Sequence, residues 1–189
     1  MKAGPPADPR LPLWAEVTPE RAAHIGRVAA QVEEWAARMR VPEAERARWL
    51  RAVWLHDALR DAGPATLDRW APEAAGPDEL RHGPASAARA AAEGERDRGV
   101  LDAVRYHSVG HARWDMAGRV LYCADYLEPG RGFKRERRAA LAARFPDDPA
   151  GVLAAVAGDR LTHLVVSGWP LPESTVGFWN SLVGPSVSG

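Results

Sequence analysis

Imidazole and carboxylate side chains stand in this sequence where helical periodicity calls for apolar ones. Leu50, Val53 and Trp54 form one stripe, and Asp57 follows Val53 by four residues and Trp54 by three. That spacing places a carboxylate on the face directed at the core, with His56 about 100° away on the same inner side. An unpaired buried carboxylate costs several kcal/mol, so Asp57 needs an arginine, a helix N-terminus or a metal ion opposite it. The same oddity recurs. His24 flanks the stripe of Ile25, Val28 and Val32, His107 follows Val104 by three, Asp125 interrupts the apolar run Val120–Leu127, and His82 lies just ahead of Pro84. Taken singly, each has an ordinary explanation as a hydrogen-bonded core histidine, a cap or a salt-bridge partner. Four histidines and two aspartates, nearly all at inward positions of separate helices, point together to first-row divalent ions held in a helix bundle. The set exceeds the needs of one ion. His24, His56, Asp57 and Asp125 suffice for one, and His82 and His107 would hold a second, with Asp57 shared.

The elements that must carry these groups are helical. Thr18-Pro19 supplies an N-cap and a first-turn proline, followed by Ile25, Val28, Val32, Trp35 and Met39 at alternating three and four spacing. Pro42 opens a second helix, predicted to reach about Asp61 before Gly63-Pro64 stops it. Pro64, Pro72 and Pro77 predict short helical turns and loops from Gly63 to Gly83, which leaves His82 in a loop before a helix starting at Pro84 and running to about Glu93. Val100, Leu101 and Val104 mark a helix ending near His107. Asp115 caps another that carries Val120, Leu121 and Ala124 up to Pro129, and three more follow near 134–144, 149–167 and 173–183. No segment alternates in the manner of a strand. The predicted class is all-α, with about eight helices in one domain. Residues 1–17 hold Pro5, Pro6, Pro9 and Pro12 without periodicity and are expected to form an extended arm.

Composition narrows the function. The 189 residues can bury a core without staples, and 25 Lys+Arg balance 25 Asp+Glu. That balance argues against general affinity for nucleic acid or anionic membrane. The single cysteine, Cys123, excludes a disulfide framework and a Cys-rich zinc site. No apolar run is long enough for a bilayer, and prolines stand where a signal peptide needs an apolar segment. A cytoplasmic protein is expected. Lysine occurs only at Lys2 and Lys134, so arginine stands in where other chains would use lysine.

The order His24 … His56-Asp57 … Asp125 resembles the HD superfamily of metal-dependent phosphohydrolases. The flanking text is more specific than the dipeptide. Trp54-Leu55-His56-Asp57-Ala58-Leu59-Arg60, His82-Gly83-Pro84-Ala85-Ser86-Ala87, Tyr106-His107-Ser108-Val109-Gly110 and the run from Leu121 to Arg131 follow the order of the YqeK-like branch. That branch comprises symmetrical diadenosine tetraphosphate hydrolases of bacteria, and Ser174–Asn180 is similar to its last helix. The resemblance covers roughly residues 20–182 and implies an HD-domain helical bundle over 18–189. It also implies cleavage of diadenosine tetraphosphate at its middle anhydride into two ADP, with a dinucleoside polyphosphate as the only partner beyond a homodimer left open.

Two divalent transition-metal ions go with that activity, iron foremost and manganese, cobalt or zinc as alternatives. Their ligands would be His24, His56 and Asp125 on one side and His82 and His107 on the other, with Asp57 across both. Ions about 3.5–4 Å apart offset phosphate charge and make a water more acidic. Catalytic roles fall to Asp57 and Arg60, and Arg60 and Arg131 are candidates for holding the phosphate chain. Arg60 departs from the branch, which usually has lysine there; arginine keeps the charge and binds phosphate bidentately but is a poor proton donor. His111 is read as a surface residue or a support for the ligands, and Trp54 or Trp179 as surfaces for adenosine. Three other readings stand beside this one: a single-metal HD nucleotidase needing only His24, His56, Asp57 and Asp125; a degenerate HD nucleotide-binding module; and an all-α interaction protein with a merely hydrogen-bonded polar core.

Overall fold

α6 (Met116–Leu127) runs through the centre of the molecule, buried along its whole length except at Met116 and Arg119. A helix apolar all round needs neighbours on every side, and in the computed structural model, which describes residues 8–74 and 78–184, it has them. α1 (Pro19–Arg38), α2 (Glu43–His56), α5 (Arg98–Tyr106), α7 (Arg135–Arg144) and α8 (Pro149–Val166) all pack directly on it. α3 (Pro64–Trp70) packs on α4 (Asp78–Ala92), α4 lies against α2 and α5, and α9 (Glu173–Val183) packs on α8. The described residues thus form nine helices and no strand, an all-α bundle as expected. Ile25, Val28, Val32, Trp35, Val53, Val104, Val120 and Leu121 are fully buried in one core cluster, so the predicted apolar stripes face inward. Trp35 stacks on Phe145 at 4.0 Å and donates its indole N–H to Ala142 O at 2.9 Å, fixing α7 against α1. No described helix is long and apolar enough to cross a membrane.

Caps set the helix starts that matter for the site. The Thr18 hydroxyl accepts from Arg21 N at 3.2 Å, while Thr18 N–H and O–H both donate to Asp61 Oδ2 at 2.8 and 2.9 Å. This ties the start of α1 to the turn that follows α2. Asp115 caps α6 as expected, its side chain accepting from Ala117 N.

Two boundaries differ from the sequence reading. α2 stops at His56 rather than near Asp61, with Asp57 as its C-cap (φ −107°, ψ 14°) and the chain turning through 57–62. Distant partners satisfy the backbone groups freed there. Ala58 O accepts from Glu16 N at 2.8 Å, Asp61 N donates to Glu16 O at 3.3 Å, and Leu59 N donates to Ser86 Oγ at 3.2 Å. The second correction is that α4 begins at Asp78 and contains Pro84, so His82 lies on a helix and not in a loop. A proline costs a helix one main-chain bond, but here the close packing of α4 on α5 holds the turn: a Cβ on Gly83 would lie 2.9 Å from Arg105 O. Pro64 opens α3, a short helix of the kind expected between Gly63 and Gly83. The proposed arm falls outside the described residues as far as residue 7. From Asp8 it lies against the body, with Leu11 in the core and the Arg10 guanidinium 4.3 Å from the Trp54 ring centre.

Candidate metal centre

Five helices deliver the six candidate ligands to one place. His24 comes from α1, His56 and Asp57 from the end of α2, His82 from α4, His107 from the C-cap of α5 and Asp125 from the last turn of α6. All six are buried. Asp57 lies between the histidines. Its Oδ2 is 3.7 Å from His24 Nε2 and 3.6 Å from His56 Nε2, and its Oδ1 is 3.0 Å from His82 Nε2 and 3.4 Å from His107 Nε2. His82 and His107 bring their Nε2 atoms within 3.0 Å of each other, and Asp125 Oδ1 is 3.1 Å from His24 Nε2. Two groups with metal-ligand spacing result, His24–His56–Asp57 and Asp57–His82–His107, joined by one carboxylate.

The residues fit divalent ions on their own chemistry. His56 Nδ1 donates to Val53 O at 2.7 Å and His107 Nδ1 to Val104 O at 2.8 Å, so Nε2 is the ring nitrogen that each turns toward the centre. Buried His56 Nε2 has no hydrogen-bond partner among the described residues. Ligands about 2.0–2.2 Å from a shared ion stand roughly 3 Å apart when adjacent, the spacing of Asp57 Oδ1, His82 Nε2 and His107 Nε2. Imidazole with carboxylate suits first-row transition metals.

Electrostatics keeps most of these groups in the ligating state. Burial pushes His56 down to about 4 and lowers His82, so both rings are neutral near pH 7. Burial works against ionised Asp57 but is outweighed by His56, His107 and His82, which hold it well below the usual carboxylate range. Asp125 behaves alike, burial being outweighed by Arg131, His24 and Arg160. His24 runs the other way: burial opposes its charge, yet the hydrogen bonds to Asp125 and Glu128 raise it to about 9. An ion binding there displaces that proton.

Arginines surround the centre. Arg21 donates to Asp57 Oδ2 at 2.8 Å, and Arg160 donates to Asp125 Oδ2 at 2.9 Å and Tyr122 O at 3.3 Å. Arg131 donates from Nε to Asp125 O at 2.9 Å and from its terminal nitrogen to Asp125 Oδ1. Arg60 is partly exposed and its guanidinium has no ion pair among the described residues, while its charge opposes protonation of His82. Sequence reasoning missed Arg21, Arg160 and Glu128. Arg21 precedes His24 by three, a spacing that shares a helix face, and Glu128 stands in the run after Asp125; Arg160 carries no local signal. His111 stacks on Tyr106 (4.5 Å, 15°). Trp54 is covered by Arg10, and Trp179 packs partly buried on the core.

A family model described as HD domain matches residues 21–130. A symmetrical bis(5'-nucleosyl)-tetraphosphatase of Halalkalibacterium halodurans is 29% identical over 107 residues, 56% of this chain and 56% of that one. Proteins of the same name from Bacillus subtilis and Staphylococcus aureus are 43% identical over 56 residues and 41% over 54, covering 29% and 28% of this chain and 30% and 28% of theirs. The match thus spans about half the length of the first relative and under a third of the other two. Among solved structures, a Clostridium acetobutylicum protein described as a predicted HD superfamily hydrolase involved in NAD metabolism superimposes with a TM-score of 0.73 at 20% identity. It covers 88% of this chain and 90% of that one, and shows a shared fold.

Proposed function

The chain belongs to the HD-domain family, and from that premise we propose that it is a metal-dependent hydrolase splitting diadenosine tetraphosphate with water into two ADP in the cytoplasm. One observation carries the reading: the two oxygens of Asp57 face two different histidine pairs, so one carboxylate can serve two ions at once. A single-metal nucleotidase has no use for the second pair. The names of the relatives support the choice of substrate.

Two divalent ions, iron first among the candidates, supply a more acidic water and offset the charge of the phosphate oxygens when bound. His24, His56 and Asp125 would hold one and His82 and His107 the other, with Asp57 shared. Burial of these ligands keeps bulk water from competing for them. Arg60, whose guanidinium has no ion pair among the described residues and whose charge is felt by His82, would take a phosphate oxygen in a charge-assisted hydrogen bond as ADP departs. It holds charge there and transfers no proton. Arg131 is a second phosphate contact whose guanidinium now rests on Asp125, so it would exchange a carboxylate for a phosphate partner.

The test is turnover of diadenosine tetraphosphate with iron, manganese or cobalt, the products being separated by ion exchange. ADP as the sole early product supports the reading. AMP and ATP in equal amounts, or no turnover with any of the three ions, overturns it.

A further inference from the structure

The run Leu127-Glu128-Pro129-Gly130-Arg131 contains a charged residue with no part in the chemistry above. Glu128 caps the end of α6 and is 1% exposed. Its oxygens have separate tasks. Oε1 lies 3.2 Å from His24 Nδ1, whereas Oε2 accepts from Arg27 Nε and from Gly130 N, each at 2.7 Å. The Arg27 guanidinium lies directly over Gly130, in the space a Cβ there would take. The main chain carrying Glu128 is gripped from α7 by buried Arg138. That guanidinium donates to the carbonyls of Tyr126, Glu128, Arg131 and Phe133, and to no carboxylate among the described residues.

We propose that Glu128 is a positioning residue for the ion bound at His24: it accepts the Nδ1 proton and so turns the Nε2 lone pair toward Asp57 and Asp125. The inference rests on His24 being an ion ligand, as in the reading above. A neutral imidazole carries one N–H, and the acceptor of that hydrogen decides which nitrogen is left to ligate. His56 and His107 stand at helix ends and use a carbonyl three residues back, Val53 O and Val104 O. His24 sits inside α1, where such carbonyls are engaged in the helix. Its acceptor has to come from another element, and α6 brings a carboxylate. A charged acceptor also makes the ring a stronger donor to an ion. The two halves of the centre therefore differ, because His82 Nδ1 has no partner among the described residues and only the His24 half is under the control of Glu128.

The experiment titrates the full-length metal-free protein with Co2+ alone, following visible absorption, for the wild type, Glu128→Gln and His24→Ala; melting of the metal-free forms is recorded in parallel. The expected result is that Glu128→Gln melts like the wild type, keeps one ion at wild-type affinity, and binds the ion lost in His24→Ala about ten- to a hundred-fold more weakly. Unchanged affinity for both ions overturns the proposal. Equal weakening of both, accompanied by a lower melting temperature, also overturns it and leaves Glu128 a purely structural residue. Should Glu128→Gln fail to fold, Arg27→Gln decides the matter, since this side chain is 41% exposed. A loss confined to the same ion supports the proposal, and no loss overturns it. A wild type that binds no ion removes both this inference and the reading beneath it. Ion binding that changes as expected without any hydrolysis of diadenosine tetraphosphate removes the substrate assignment alone.

Discussion

Replacing Asp57 by asparagine alters one atom and one charge, yet it acts on both halves of the centre at once. In the wild type Oδ2 faces His24 and His56, Oδ1 faces His82 and His107, and Arg21 donates to Oδ2 at 2.8 Å. An asparagine keeps one oxygen acceptor and turns an NH2 donor toward the other histidine pair, where an ion would have to sit. Each charge-assisted contact is worth roughly 1.5–3 kcal/mol. Loss of one such contact in each half amounts to about 3–6 kcal/mol, or roughly a hundred- to ten-thousand-fold in transition-state stabilisation. The expected outcome is a fall from two bound ions per chain to one or fewer, with turnover of diadenosine tetraphosphate reduced within that range. The fold should persist, because Asp57 ends α2 through its main chain. Elemental analysis after metal-replete purification gives the stoichiometry, timed ADP release gives the rate, and circular dichroism checks helicity. A variant with two ions per chain and a rate within threefold of wild type would show that the bridging geometry has no part in the reaction.

Arg60→Lys should retain most activity, while Arg60→Ala should lose about ten- to a hundred-fold in kcat/KM, matching roughly 1.5–3 kcal/mol for one charged contact; equal rates for the alanine variant and the wild type would remove Arg60 from the site. Gly83→Ala pushes a methyl to 2.9 Å from Arg105 O and 3.1 Å from Val104 O, backbone atoms that have little room to yield. A loss of about 1–3 kcal/mol in urea unfolding is expected, with weaker binding of the ion at His82 and His107, and unchanged stability would contradict the close packing of α4 on α5. Asp97 caps α5 and is held at about 2, chiefly by its hydrogen bonds from Arg48. A depressed carboxylate stabilises the fold above the unfolded value of 3.8 and loses that contribution as pH falls through about 2. For a side chain 23% exposed, screening leaves on the order of 1 kcal/mol. The stability gap between wild type and Asp97→Asn should therefore be full at pH 6 and close between pH 4 and pH 2; a gap independent of pH would refute the assignment.

Most of the helices could be read from the chain because the forces that start and stop them are local. Thr18 and Asp115 cap the turns that immediately follow them, and three-and-four spacing settles which face of α1 and α2 is buried. The same local geometry brought five of the six metal-ligand candidates to notice, since a polar group beside an apolar stripe is visible without knowing what it meets; His82, read as a loop residue, was picked out by its motif instead. Two boundaries went the other way. α2 ends at His56 because Glu16 and Ser86 take up the backbone groups of the turn after it, and α4 starts ahead of Pro84 because Gly83 lets it close on α5. Both depend on segments distant in sequence.

The charged surroundings of the site were least legible. Arg21, Arg160 and Glu128 meet their partners 36, 35 and 104 residues away, and a chain with 25 basic and 25 acidic residues has far more candidate pairs than any spacing rule can rank. Arg131 was legible as a neighbour of the site, but not that its guanidinium rests on Asp125. Which nitrogen of each imidazole is left to ligate was beyond the sequence as well. That choice belongs to the acceptor at the far side of the ring, a main-chain carbonyl for His56 and His107 and a carboxylate for His24. Residue types, helical faces and the sharing of Asp57 thus follow from the sequence, whereas charge pairing, tautomer and which oxygen of Asp57 faces which histidine pair follow from how five helices meet.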